Sequence, residues 1–251
     1  MLISYQTQLT KKVNLAGNVY LFEFSLVEPK EISFLAGQYL ILSVPHNGKI
    51  FSRLYSIASP SWQKNSFELV VELVEGGMGS TYLNSLNIGD KVLFKGPAGM
   101  FTLKKTDKNK IFFATGTGIA PIRSMINENQ FLLENKDKNK NEKKICDYLF
   151  WGMKNKDYIY FFDEFKNLTK INNFHFKICL SRERDLKDLD QRFFALGHVD
   201  YVFEKELYSE IKNSLFNFDF YLCGSREVVE SLRNYLLKKN IPSSNIFFEK
   251  F

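Results

Sequence analysis

Near its middle this chain changes rhythm. Up to Ala98, short strand-like runs such as NVYLFEFSLV, GQYLILSVP, RLYSIAS, SFELVVELV and DKVLFKGPAG succeed one another, punctuated by Gly, Pro and Asn. That spacing predicts an antiparallel barrel or sandwich. One helical stretch, GSTYLNSL, interrupts it, with Ser80 placed to cap the helix. Beyond the polar linker LKKTDKNK, the strands IFFATG, ICDYLFWGM, FHFKICLS and FDFYLCGS take over. They alternate with the helical patterns APIRSMINENQFLLEN, KDYIYFFDEFKNL and REVVESLRNYLLKKN, except that a mostly polar stretch follows FHFKICLS. Apolar strands alternating with amphipathic helices predict a parallel sheet with helices on both faces. The boundary falls between Thr102 and Lys108, giving domains 1–104 and 105–251.

The 251 residues suffice for two domains, each with its own core. No apolar run approaches the roughly 18 residues of a membrane span, and the opening MLISYQTQLTKKV lacks a secretory apolar region. A soluble, cytoplasmic protein is expected. Cys146, Cys179 and Cys223 lie far apart and form no C-x-x-C pair, which argues against a disulfide framework, a zinc site or an iron–sulfur cluster. The net charge of +6 comes largely from lysines set among Asn and Asp in LKKTDKNK and ENKDKNKNEKK. These read as solvated loops, not as a nucleic-acid surface. His46 and His175 read as surface turn and strand residues and His198 as structural; none has the spacing of a metal site or a catalytic triad.

Four stretches carry possible chemistry. In FFATGTGIAPIRSM an apolar strand runs through Gly116-Thr117-Gly118 into a helix with Pro121 in its first turn. Glycines allow a tight turn and close approach of a phosphate, and the helix start offers free N–H groups; an ordinary strand-to-helix turn would look the same. In SRLYSIAS, Arg53 and Tyr55 share one strand face and Ser56 the other. A guanidinium can fork onto a phosphate and a phenol ring can cover an aromatic cofactor. EGGMGSTYLNSL is either an anion cradle or a flexible loop leading into a capped helix. In YLCGS, Cys223 and Gly224 end an apolar strand, where open α/β sheets bind ligands, although a lone Cys there is commonly inert core.

Taken together, RLYS, GMGSTYL, GTGIAP, SRE and CGS, with FFEKF at the chain end, resemble the ferredoxin–NADP reductase family in order and spacing. The resemblance covers essentially the whole chain. It implies an antiparallel β-barrel that binds FAD, followed by a Rossmann-like α/β domain that binds NADP(H). It also implies that Arg53 holds the flavin diphosphate, that Leu54 and Tyr55 line the flavin with Tyr55 against the isoalloxazine, and that Ser56 hydrogen-bonds near N5. Gly79, Ser80 and Thr81 would cradle the diphosphate. Gly116, Thr117 and Gly118 would receive the nucleotide, with Thr117 beside the flavin. Cys223, Gly224 and Glu249 would border the nicotinamide. Ser56, Cys223, Glu249 and Phe251 are the residues expected nearest the chemistry.

The same resemblance implies that Lys154, Ser181, Arg182 and Arg192 bind the 2′-phosphate of NADPH. ALGHV is similar to NADH-using oxygenase reductases of the same superfamily, which leaves NADH open. NIFFEKF reads either as a final edge strand or, by the resemblance, as an end whose Phe251 ring covers the flavin face opposite Tyr55. Without an appended ferredoxin or haem domain in the sequence, electrons are expected to leave to a separate acidic carrier, ferredoxin or flavodoxin, from a monomeric enzyme. A free-flavin reductase, the reductase component of a separate oxygenase, and a non-catalytic flavin- and nucleotide-binding module are the alternatives.

Overall fold

A computed structural model describes residues 2–135, 145–171 and 173–251. The lysine-rich stretch 136–144, read above as a solvated loop, lies outside the described residues. The chain forms two compact units: residues 1–103 with 123–129, and 104–122 with 130–251.

The first unit is an antiparallel, barrel-like sheet of β1 (Ile3–Ala16), β2 (Val19–Glu28), β3 (Tyr39–His46), β4 (Lys49–Ser56), β5 (Ser66–Glu72) and β6 (Lys91–Ala98), in the order β4-β3-β6-β1-β2-β5. Alternation decides which face is inside. In β2, Phe22 and Phe24 are fully buried, and Phe24, Phe67 and Phe94 meet with ring centroids 5.0–5.6 Å apart. β3 and β4 form a two-residue hairpin through Asn47 (φ 49°) and Gly48 (φ 72°), the left-handed pair that matches strand twist. An isolated bridge, Ile57 to Leu69, brings the end of β4 against β5. Helix α1 (Met78–Ser85) lies between β5 and β6 in sequence and buries Leu83.

The second unit is a parallel sheet of β7 (Asn109–Thr115), β8 (Asp147–Met153), β9 (Phe174–Leu180), β10 (Phe194–Leu196), β11 (Phe218–Gly224) and β12 (Ile246–Lys250), ordered β10-β9-β8-β7-β11-β12. Its strands are nearly all apolar because helices cover both faces. Phe113 and Phe150 pack edge-on against Phe203 of α4 (Val199–Phe203), and on the other face Trp151 meets Phe165 of α3 (Phe162–Ile171). A π-helical turn, Glu204–Tyr208, continues α4 into α5 (Ser209–Ile211). Helices α2 (Ile119–Glu134) and α6 (Arg226–Lys238) follow β7 and β11. Among the described residues, no helix is long and apolar enough to cross a membrane.

Four expectations need correction. The cap of α1 is Gly77; Ser80 lies within the helix, and its hydroxyl accepts the Val74 N–H at 3.0 Å instead. The helix expected from KDYIYFF begins only at Phe162, because Asn155 caps a short 3-10 turn at Lys156–Tyr158 and Phe161 turns left-handed at φ 56°. The polar stretch after β9 contains β10, whose Phe194 and Ala195 are buried. The linker is also not simply solvated. Lys110 is 1% exposed, and its ammonium donates to the Thr106 and Lys108 carbonyls, while the Thr106 hydroxyl donates to Asp219. A buried ammonium demands such acceptors.

Candidate functional site

In the first unit, β4 and the start of α1 converge. A Cβ added at Gly79 would run into the Tyr55 hydroxyl and stand 3.1 Å from Arg53 Cγ. Only a residue without a side chain lets α1 begin directly over Arg53 and Tyr55. The first N–H groups of a helix have no carbonyl of their own helix to meet, and here α1 carries no side-chain cap. Thr81 N–H makes the first helical bond, to Gly77 at 2.8 Å. The Arg53 guanidinium donates to the Ser52 carbonyl at 2.8 Å and approaches Met78 Sδ at 3.9 Å. Burial raises the Tyr55 phenol above its ordinary range, with Arg53 opposing, so the ring stays neutral. Leu54 is 58% exposed on the opposite face of the strand from Arg53 and Tyr55. This arrangement (a glycine cradle, free N–H groups, a guanidinium fork and a flat phenol) fits an aromatic cofactor with a diphosphate.

In the second unit, three glycines let the ends of β7 and β11 touch. Gly116 turns at φ 52°; a Cβ on Gly118 would strike the Cys223 carbonyl, and one on Gly224 would strike the Thr115 hydroxyl. The turn Gly116–Gly118 around Thr117 is therefore seated on Cys223–Gly224. It is also gripped from outside, since the Trp151 indole N–H and the Tyr160 hydroxyl both donate to the Gly116 carbonyl, at 3.1 and 3.3 Å. Neither residue stood out as a site residue in the sequence. The only signal was an indole N–H inside an apolar strand, which must find an acceptor.

Cys223 is 2% exposed and pairs in register with Glu249 across β11 and β12. Burial, and then the Glu249 charge, push its thiol well above the ordinary range, so it stays protonated. Phe251 follows β12 with its backbone tied: its N–H donates to the Gly224 carbonyl and its carbonyl accepts the Arg226 N–H, each at 3.3 Å. Phe251 is 63% exposed. The segment is thus an edge strand whose terminal residue is tied by its backbone and exposed by its side chain.

At the carboxyl ends of β8 and β9, Ser181 N–H and hydroxyl donate to the Met153 carbonyl, and Arg182 N–H donates to the Lys154 carbonyl at 2.8 Å. Lys154, Ser181 and Arg182 are therefore neighbours. Arg192 is not with them. Arg192 sits in the turn that leads into β10, whose Phe194 pairs with Ile178, on the amino-terminal side of that pairing, whereas Arg182 lies beyond the carboxyl end of β9. From Ile178 to Arg182, at about 3.3 Å per residue, the strand end already lies roughly 13 Å away. Arg192 instead forks onto Asp190, whose carboxyl it holds down at about 2. It lines a cavity of about 500 Å³ near the opposite ends of β8 and β9, with Tyr148 and His175.

Residues 6–103 match the model of the oxidoreductase FAD-binding domain, and residues 112–234 that of the oxidoreductase NAD-binding domain. The toluate 1,2-dioxygenase electron transfer component of Pseudomonas putida is 26% identical over 98% of this chain and 67% of its own length. Ferredoxin–NADP reductase B of Sorangium cellulosum is 41% identical over 104 residues, 41% of this chain and 43% of that protein. The chain spans 59% of the anthranilate 1,2-dioxygenase electron transfer component of Acinetobacter baylyi. Among solved structures, an Amycolatopsis cytochrome P450 reductase superposes with a TM-score of 0.83 at 23% identity, covering all of this chain and 70% of that one. A ferredoxin NADP+ reductase from Neisseria gonorrhoeae with bound FAD and NADP superposes with 0.79 at 18% identity, covering 98% of both chains. At these identities the structures speak for the fold alone.

Proposed function

Because the chain belongs to the ferredoxin–NADP reductase family of FAD- and NAD-binding oxidoreductases, we propose that it takes a hydride from NADPH and passes electrons singly to a separate ferredoxin or flavodoxin. The observation that carries this reading is the Gly79 cradle over Arg53 and Tyr55. FAD, when bound, supplies the exchange between a two-electron donor and a one-electron acceptor. The rest falls to the chain's own groups. Arg53, released from the Ser52 carbonyl, would fork onto the diphosphate while the first N–H groups of α1 receive its other oxygens. Tyr55, neutral and half-buried, would support one face of the ring, and Ser56 would offer a hydroxyl where a proton arrives. The Thr117 turn, held by Trp151 and Tyr160, would orient the incoming nicotinamide. Cys223, kept as a thiol, would be a neutral wall, with Glu249 the adjacent acceptor. Lys154 and Arg182 would meet the 2′-phosphate, which favours NADPH over NADH.

A second reading, the reductase of a separate oxygenase, is favoured by relatives that match nearly the whole chain and are electron transfer components of 1,2-dioxygenases. Anaerobic stopped-flow reduction with NADPH and with NADH, followed by addition of ferredoxin, flavodoxin or free riboflavin, tests both. Faster reduction by NADPH and onward transfer to a carrier protein is the expected result. Preference for NADH, or turnover only with riboflavin, would overturn the first reading.

A further inference from the structure

The chain stays buried after β4 has ended at Ser56. Ile57, Ala58 and Ser59 are fully buried and Pro60 is buried after them, although β5 does not begin until Ser66. A buried backbone that has left its strand must find other partners for its N–H and C=O groups. Ile57 N–H donates to the Gln38 carbonyl at 2.9 Å and Ala58 N–H to the Glu68 carbonyl at 2.8 Å. Side chains of α2 meet the next groups in order. The Arg123 guanidinium donates to the Ala58 carbonyl at 3.0 Å, and the buried Ser124 hydroxyl donates to the Ser59 carbonyl at 2.7 Å. Ser61 gives its N–H and its hydroxyl to the Glu128 carboxylate, at 3.2 and 2.6 Å. All of these contacts lie within the first unit, which takes in residues 123–129 of α2.

The same Arg123 nitrogen grips the Glu68 carboxylate at 2.6 Å, both side chains being largely buried. Glu68 N–H in turn donates to the Ser59 hydroxyl at 3.1 Å. Arg123, Glu68, Ala58 and Ser59 therefore close a ring of hydrogen bonds two residues beyond Ser56. Replacing a buried ion pair by apolar packing is often neutral for stability; what a fixed guanidinium adds here is position. We propose, on the reading that Ser56 offers its hydroxyl where a proton arrives on the flavin, that Arg123 is the positioning residue that holds Ser56 there. On one side Ser56 is held by its pairing with Tyr39 in β3, and on the other by the ring at Ala58. Without the ring, the end of β4 is free to twist about that pairing. A shift of about 1 Å takes a hydroxyl out of hydrogen-bonding range, and misplacement on that scale can cost about 100-fold in rate.

The test uses the full chain loaded with FAD. Arg123→Met combined with Glu68→Gln removes the grip without leaving a charge buried alone. The change should mimic the loss of the Ser56 hydroxyl. The flavin absorption bands and the midpoint potential, measured by dye equilibration without nucleotide, should move in the same direction as in Ser56→Ala. Adding Ser56→Ala to the pair of changes should move them no further. Flavin reduction at saturating NADPH should slow about 10-fold or more in the paired variant, with no additional slowing once Ser56 is already Ala. Arg123→Lys, which keeps the charge but not the planar fork, should recover part of the rate. Should the paired variant fail to hold FAD, Ser124→Ala removes a neighbouring tie on the same segment and is judged by the same spectrum and potential. A spectrum and potential that do not move overturn the proposal, as do shifts that add to those of Ser56→Ala. A wild-type flavin that neither NADPH nor NADH reduces would instead overturn the functional reading, and the nucleotide-free potential would still decide the role of Arg123.

Discussion

Replacing Gly79 by Ala isolates the cradle from the stability of the fold. Within α1, alanine is worth about 1 kcal/mol over glycine in helix propensity. Against that, the added methyl would overlap the Tyr55 hydroxyl and crowd Arg53 Cγ at 3.1 Å. Overpacking of this kind costs about 1–3 kcal/mol. Both contacts are with side chains that can swing away, so the net loss of stability should be about 0–2 kcal/mol. Flavin affinity should suffer more, because the swing removes a charge-assisted hydrogen bond worth about 1.5–3 kcal/mol, or about a 10- to 150-fold rise in the FAD dissociation constant. Urea unfolding of the flavin-free protein and titration of its FAD fluorescence quenching measure the two separately. Wild-type FAD affinity in Gly79→Ala would refute the reasoning. A loss of affinity matched by gross unfolding would refute it equally.

Arg182→Ala should raise KM for NADPH about 10-fold or more and spare NADH, whereas Arg192→Ala should change neither; steady-state kinetics with both nucleotides decides, and the magnitude is that of one charged hydrogen bond. Phe251→Ala keeps the two backbone bonds that a deletion would lose, so thermal stability should change by less than about 0.5 kcal/mol while oxidised nucleotide binds more tightly and the flavin spectrum shifts. An unchanged spectrum and affinity would leave the ring without a role. Alkylation mapped by mass spectrometry should label Cys146, which is partly exposed, before Cys179 and Cys223, whose buried thiols are pushed up and react only on unfolding. Burial works against the Glu204 carboxylate, but the Lys239 ammonium and Tyr235 hydroxyl donate to it and lower it overall. A carboxylate lowered on folding stabilises above its unfolded pKa of about 4.3 and loses that contribution as pH falls through the folded value. Urea midpoints of Glu204→Gln should therefore fall less steeply than wild type on acidification below about pH 4.3, and parallel curves would exclude the contribution.

Alternation made the first sheet legible, and in the second the short apolar runs rich in aromatic residues and bounded by polar or glycine-bearing stretches stood out as strands buried on both faces. Short elements were lost for the same reason. Three residues of β10 are too few to show a period, and their partner β9 lies beyond a polar stretch. Ser80 misled because a hydroxyl at a helix start ordinarily caps it, and only the fold reveals that Val74 N–H reaches it first. Arg192 misled because spacing along a sequence says nothing about which end of a sheet a returning chain has reached. The glycines were legible as punctuation, but their partners were not: that Gly118 rests on Cys223 and Gly79 on Tyr55 is tertiary information.

The grip of Trp151 on the Gly116 carbonyl also makes the protein its own spectroscopic gauge. The chain has two tryptophans. Trp62 lies in the first unit and is 42% exposed, whereas Trp151 is fully buried in the second, edge-on to Tyr160 at 4.8 Å. Trp62 should emit at the longer wavelengths of a hydrated indole and be open to collisional quenching by iodide. Trp151 should emit to the blue and resist it. In Trp62→Phe a single indole, hydrogen-bonded to the turn around Thr117, would then report each arrival of a nucleotide as a change in emission, read out in an ordinary fluorimeter without any electron being transferred.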